Sequence, residues 1–279
     1  MARGLFQTKK KDGTVYYRVN ISFKGHHISL GSSEDKSRAS RIYEQARVLT
    51  VDEEFSEKPA GGIVSVTERI GRILVKYDEL NFEKVVSITN LRDNGIYIGN
   101  PIYLLEGFFL YFLKPSEVLK FDRDDLFYYS NHRIMKRGGR LFVNDFGMQV
   151  SVLARYGVRG HGVKGVDFVF SNGDETDLRY ENIQIINPYN GVFKEDDSGK
   201  VSFTAKIHID GYWLLGSYPD AVTAAIAYNK AVDMAHAAGI KKDYSQNYIE
   251  DMSGKNYAAI YSELNISKKY RNYLREIMK

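Results

Sequence analysis

Two stretches of this 279-residue chain follow one template, and a repeated template asks for the same fold twice. The first runs Tyr17-Arg-Val-Asn-Ile-Ser-Phe-Lys-Gly-His-His-Ile-Ser-Leu-Gly31, then Ala39, Tyr43 and Ala46. The second runs Phe203-Thr-Ala-Lys-Ile-His-Ile-Asp-Gly-Tyr-Trp-Leu-Leu-Gly216, then Ala224, Tyr228 and Ala231. The copies stand 186 positions apart at the turn glycines (211 − 25) and 185 apart from the Leu-Gly pair onward (216 − 31). This places one gained or lost residue in the strand between those points.

In the first copy Tyr17, Val19, Ile21 and Phe23 alternate with Tyr16, Arg18, Asn20 and Ser22, the mark of a strand with one buried and one polar face. Lys24-Gly25 makes a turn, and Ile28 to Leu30 begins the next strand. Ala39, Ile42, Tyr43, Ala46 and Leu49 then share one face of a helix from about Lys36 to Leu49, with small residues that let it lie close on a sheet. In the second copy Val201, Phe203, Ala205, Ile207 and Ile209 oppose Ser202, Thr204, Lys206 and His208. A helix follows from about Ala221 to Ala238, and Gly239 is a fitting stop.

The length calls for two or three domains with sizeable cores. The chain has no cysteine, which excludes disulfides, thiolate zinc sites and a cysteine nucleophile and fits a reducing cytoplasm. No run of about 18 apolar residues marks a membrane span, and the start lacks the apolar stretch of a signal peptide. Net charge is only +4, but basic clusters recur at Lys9-Lys11, Lys136-Arg137 with Arg140, Lys241-Lys242, and Lys268-Lys269 with Arg271 and Arg275. Such clusters fit an anionic partner or a solvated face.

Five segments are expected: a module over 1–56; a linker (Glu57 to Gly62) and small β segment over 57–100, with strand-like runs at Arg72–Lys76 and Ile96–Ile98; a middle domain of short strands over 101–190; a second module over 191–241; and a basic helical tail over 242–279. That tail reads equally as a cover for the second module and as a contact to an anionic partner.

The repeated pattern, with His-His-Ile-Ser-Leu-Gly and Tyr-Trp-Leu-Leu-Gly before the alanine-tyrosine helix, resembles the Apetala/ethylene-response-factor DNA-binding domain over about 45 residues in each copy. The resemblance implies a three-stranded sheet lying in the major groove with a helix behind it. The polar rows then become the contact residues: Tyr16, Arg18, Asn20, Ser22, Lys24 and His27 in one copy, and Ser202, Thr204, Lys206, His208, Tyr212 and Trp213 in the other. Basic side chains suit phosphates; Asn, Ser, Thr and His suit base edges. Trp213, the one tryptophan, is matched to His27. Both rows are poorer in arginine than the family's.

Between the copies, Val166-Asp-Phe-Val-Phe-Ser-Asn-Gly-Asp-Glu-Thr-Asp-Leu-Arg-Tyr-Glu-Asn-Ile183 resembles the core of HNH homing endonucleases, and Asn190-Gly-Val192 resembles their junction to an Apetala-type module. The resemblance gives Asp167 and Asn182 as metal ligands of the ancestral core, but it finds Phe168 where a histidine base should stand and Leu178 in place of the asparagine that orients it. An essential base is worth about two to four powers of ten in rate. Asp167, Asn172, Arg179 and Asn182 then read as a degenerate remnant, with Asn172-Gly173 as a turn and Asp177 and Arg179 pinning the loop.

The expectation is an α+β chain: two small three-stranded-sheet-plus-helix modules flank a degenerate HNH (ββα-type) middle domain, with a helical C-terminal tail. It needs no cofactor or metal, has no membrane partner, and binds duplex DNA in the bacterial or phage-infected cytoplasm. Its expected role is that of a sequence-specific transcriptional repressor. The alternatives are an active nuclease with a base relocated to His132 or His161, and a module whose sheets face RNA or protein.

Overall fold

The computed structural model describes residues 4–59, 62–160, 162–197 and 199–278. Among these it is a mixed α+β chain with small antiparallel sheets and seven α-helices, and no helix is long and apolar enough to cross a membrane. The chain divides into two compact units, Met1–Val152 with Asn172–Asn182, and Leu153–Ser171 with Ile183–Lys279. The expected middle domain is therefore shared between units, each holding one copy of the template.

The first unit opens with β1 (Leu5–Lys9), β2 (Val15–Phe23) and β3 (His26–Ser33), an antiparallel sheet backed by α1 (Lys36–Val51). Asp35 caps α1 by accepting from the Ser37 amide at 2.7 Å. Val19, Ile21, Ile28 and Leu30 from the sheet meet Ala39, Ile42, Ala46 and Leu49 from the helix in a buried core.

Two further helices, α2 (Ile63–Lys76) and α3 (Phe82–Asn94), extend that core through Ile73, Val85, Ile88 and Leu91. This corrects the expected β segment over 57–100: Arg72–Lys76 lies inside α2. Val66, Ile70, Ile73 and the following Tyr77 are buried at helical spacing, a period that outweighs the β-branched composition. Within the Glu57–Gly62 linker, Ala60 and Gly61 lie outside the described residues.

The rest of the unit is β4 (Ile102–Leu104), β5 (Phe108–Lys114) and β6 (Glu117–Asp122) in one sheet, α4 (Leu126–Asn131), and β7 (Ile134–Arg137), β8 (Arg140–Asp145) and β9 (Met148–Ser151) in another.

The second unit begins with the hairpin β10 (Phe168–Phe170) and β11 (Ile183–Ile185). The second module follows as β12 (Val192–Asp197), β13 (Lys200–His208), β14 (Tyr212–Tyr218) and α5 (Ala221–Ala237), with Asp220 capping through the Thr223 amide at 2.7 Å. Gly239 stops the helix in the left-handed region (φ 87°), as expected. The tail forms α6 (Gly254–Glu263) and α7 (Lys268–Ile277). Ile266, Tyr270 and Leu274 are buried in the module's core, so the tail is a cover.

Registers show how closely the copies agree. Val19 faces Gly31 and Asn20 faces Ser29, leaving Leu30 as the extra residue of a bulge. Ala205 faces Gly216 and Lys206 faces Leu214, leaving Leu215 in the same role. Both leucines point into the core, where a bulge can aim a side chain that regular pleating would send outward.

The length change therefore lies in the turn and not in a strand. Four residues, Phe23 to His26, separate the paired Ser22 and His27, whereas three, Ile209 to Gly211, separate the paired His208 and Tyr212. In register, Trp213 matches Ile28, and Tyr212 matches His27.

A further shared position precedes each copy. Gly4 (φ 85°) and Gly191 (φ 70°) give their carbonyls to the Asn20 and Lys206 amides at 2.9 and 2.8 Å, while Tyr43 and Tyr228 pack onto them. A Cβ on Gly191 would collide with the Tyr228 ring and lie 2.6 Å from the Lys206 carbonyl oxygen. Gly191→Ala is expected to cost about 3 kcal/mol, combining left-handed strain with overpacking. Gly165→Ala, also at positive φ but with open space around it, should cost about 1 kcal/mol. The midpoints of urea unfolding of the full chain check both.

Candidate nucleic-acid interface

A sheet backed by one helix keeps one face uncovered, and register fixes which side chains it carries. On the first sheet the open face carries Tyr16, Arg18, Asn20 and Ser22 from β2, His27 and Ser29 from β3, and Phe6 and Thr8 from β1. Phe6, Arg18, Ser22, His27 and Ser29 are exposed. The Arg18 guanidinium sits 5.9 Å over the Tyr16 ring, with Nη2 3.3 Å from its hydroxyl. Ser22 Oγ and His27 Nδ1 are 2.8 Å apart. Five of the six residues expected to form this row are together.

Lys24 is the exception. At the hairpin tip, its ammonium donates to the Arg92 and Leu91 carbonyls at 2.8 and 3.3 Å, closing the C-terminal end of α3. It serves the unit's internal packing.

The second open face carries Ser202, Thr204, Lys206 and His208 from β13, Tyr212 and Leu214 from β14, and Phe193 and Glu195 from β12. Lys206 lies 5.1 Å over the Phe193 ring and 3.3 Å from Glu195. Hydrogen bonds from Thr204 and then Lys206 hold the Glu195 carboxyl below its ordinary value. The Lys242 ammonium reaches the His208 carbonyl at 2.8 Å and its Nδ1 at 3.2 Å, and the His208 ring packs edge-on to Tyr212, which is 71% exposed.

Two expected contact residues are not available on that face: one is in the row but buried, the other is on the opposite side. Thr204 is only 3% exposed, beside Phe193 in the register. Trp213 lies opposite Ile207 on the helix side, stacked on Tyr273 of α7 at 4.2 Å. Matching Gly25 to Gly211 puts Trp213 on the open row, but the turns differ by one residue and the register reverses its side.

Position for position the rows differ in Arg18 with Thr204, Asn20 with Lys206, Ser22 with His208 and His27 with Tyr212, and agree only in Phe6 with Phe193. Strands β1 and β12 are too short to mark their aromatics by period. The glycine before each (Gly4, Gly191) was the available signal.

In the second unit Asp167 is 2% exposed and each carboxylate oxygen is occupied. Oδ1 accepts from Arg159 Nη2 at 2.5 Å and Asn187 Nδ2 at 3.1 Å, and Oδ2 from the Val163 amide at 2.7 Å. Arg159 also donates to the Tyr189 carbonyl and lies 5.6 Å over the Phe193 ring of the module. Phe168 is buried.

In the first unit Asn182 accepts from the Asn172 amide at 2.8 Å and donates to the Asp174 and Asp177 carbonyls at 3.1 and 2.8 Å. Arg179 grips Asp177 through Nε and Nη2 at 2.9 and 2.7 Å. Asp177 pairs beside Lys120 of β6 in a parallel bridge, and Leu178 is buried. These residues hold loops together, and their donor sets do not fit the metal that the HNH resemblance implies for an active core.

His132 stacks on Tyr128 at 4.2 Å, with Nδ1 2.9 Å from the Tyr128 carbonyl oxygen and Nε2 3.4 Å from Asp145. His161 lies outside the described residues. Among the described residues no group of three His, Cys, Asp or Glu is placed to hold a metal ion.

Comparison with family models, with curated proteins and with solved structures returns no match to this chain.

Arg159→Leu strands the buried Asp167 carboxylate and is expected to cost about 3 kcal/mol in thermal or urea unfolding. A pH dependence follows from Asp174. Burial opposes its ionisation, but hydrogen bonds from Lys120 and Thr176 outweigh this and hold the carboxyl at about 2. A depressed carboxyl contributes stability that is present above its unfolded value and lost as pH falls through its folded value. The difference in urea midpoint between the wild type and Lys120→Met should thus be constant above about pH 5 and shrink steadily from there to about pH 1, as Asp174 and then its neighbour Asp177, which Lys120 also faces, take up protons.

Proposed function

We propose that this chain binds duplex DNA through the open sheet faces of its two modules, and that it derives from HNH homing endonucleases but no longer cleaves. The observation carrying the proposal is the matched register of the two copies. Two sheets with the same bulge, cap and glycine-tyrosine packing each leave a polar, part-aromatic row uncovered. A small antiparallel sheet fits the major groove. On the first face Arg18 reaches a phosphate or a guanine edge, while Asn20, Ser22 and His27 read bases. On the second, Lys206, His208 and Tyr212 do this work.

Each row carries little charge, so each module alone binds weakly. Two modules in one chain gain affinity through effective concentration. Binding without cutting acts by occupancy, and the role that follows is transcriptional repression at a long or two-part site. The loss of cleavage is supported by Phe168 and Leu178 at the base and orienting positions, and by an Asp167 carboxylate already saturated by protein donors.

Arg18→Ala combined with Lys206→Ala should lower the slope of log affinity against log salt by about one unit for each phosphate no longer neutralised, measured by fluorescence anisotropy on duplex DNA. An unchanged slope removes these residues from the interface, and RNA competing as well as duplex DNA overturns the DNA reading. A supercoiled plasmid incubated with magnesium or manganese should stay intact, and nicking by the purified chain overturns the loss of catalysis. Asp167→Ala is a poor control for that assay, because Asp167 holds the second unit together.

A further inference from the structure

Within the tail, α7 turns only one side to the second module. Ile266, Tyr270 and Leu274 face the core at four-residue spacing, and Tyr273 stacks on Trp213 and donates to Asp210 in the β13–β14 turn at 3.0 Å. Ser267 pins the start of the helix to the outer edge of β14, its amide donating to the Leu215 carbonyl at 2.9 Å and its hydroxyl to that of Leu214 at 2.6 Å. The side chain of Leu214 belongs to the open face.

At about 100° per residue, passing round α7 from Tyr270 and Leu274 through the Ser267 flank leads to Arg271, Arg275 and Lys268. These three are exposed, and no ion pair engages them among the described residues. The stripe therefore begins one residue beyond the pin to the sheet edge, on the flank turned away from the core.

The module's own row carries little positive charge: Lys200 stands at the far end of β13, opposite Asp197. Lys206 is shared with Glu195, and Lys242 is held against the His208 backbone and ring. We propose that the Lys268–Arg271–Arg275 stripe binds the phosphate backbone of the duplex held by the second sheet, making α7 both the cover of the module and its phosphate clamp. In the first module the helical cover meets the hairpin tip differently, through carbonyls capped by Lys24.

This rests on the DNA-binding reading, and the experiment separates the two. Full-length wild type and Lys268→Gln/Arg271→Gln/Arg275→Gln are titrated onto a short random-sequence DNA duplex across a potassium chloride series. The triple variant is expected to bind more weakly, with a salt slope shallower by about two to three units. Emission of Trp213, the one tryptophan, reports whether α7 is still seated. In parallel, wild-type protein is acetylated with and without duplex and read by mass spectrometry, with Lys268 expected to be protected by DNA.

Wild type that binds no duplex at low salt overturns the functional reading itself. Wild-type binding with an unchanged slope in the variant and equal Lys268 labelling overturns the clamp alone. Should the variant's Trp213 emission shift, the wild-type labelling decides: protection supports the clamp, and its absence overturns it.

Discussion

The structure depends on how closely one helix can approach one small sheet. Three short strands bury only one face, so each module's core is built first on that contact and then extended, by α2 and α3 in one copy and by the tail in the other. Alanines at 39 and 46, and at 224 and 231, bring the helix backbone near the strands. The ring of Tyr43 or Tyr228 then fills the space over a glycine that has no side chain to give up. The glycine carbonyl at the same point accepts from the central strand, so packing and hydrogen bonding lock together. The template's fixed positions are those that serve this approach.

The side turned away from the helix is freer to vary, because no helix packs on it. Arg18 stands where the other copy has Thr204, and Asn20 where it has Lys206. A common scaffold thus presents two chemically different rows, as expected if the modules meet different stretches of a partner. The bulged leucines, by contrast, agree in both copies because they face inward.

Much of this was legible in the chain, for physical reasons that also explain the failures. The alternation from Tyr16 to Phe23 and the alanine-tyrosine helices are long periodic signals, and both modules could be drawn from them. The facing of Trp213 could not, since one residue's difference in a turn reverses the side assigned to every residue after it. Helix α2 was hidden by valines and isoleucines whose spacing, not composition, sets their structure. The saturation of Asp167 was invisible because Arg159 lies eight residues away in a glycine-rich stretch with no regular period.

The buried Arg159–Asp167 pair bears on how such a chain changes with time. Asn187, the Val163 amide and the Tyr189 carbonyl all depend on those two side chains keeping their places. Substituting either one leaves an uncompensated charge in the interior, so no single replacement leads smoothly to another arrangement. The set is entrenched: once formed, it can be dismantled only by changes that arrive together, and neutral drift is confined to the surface around it.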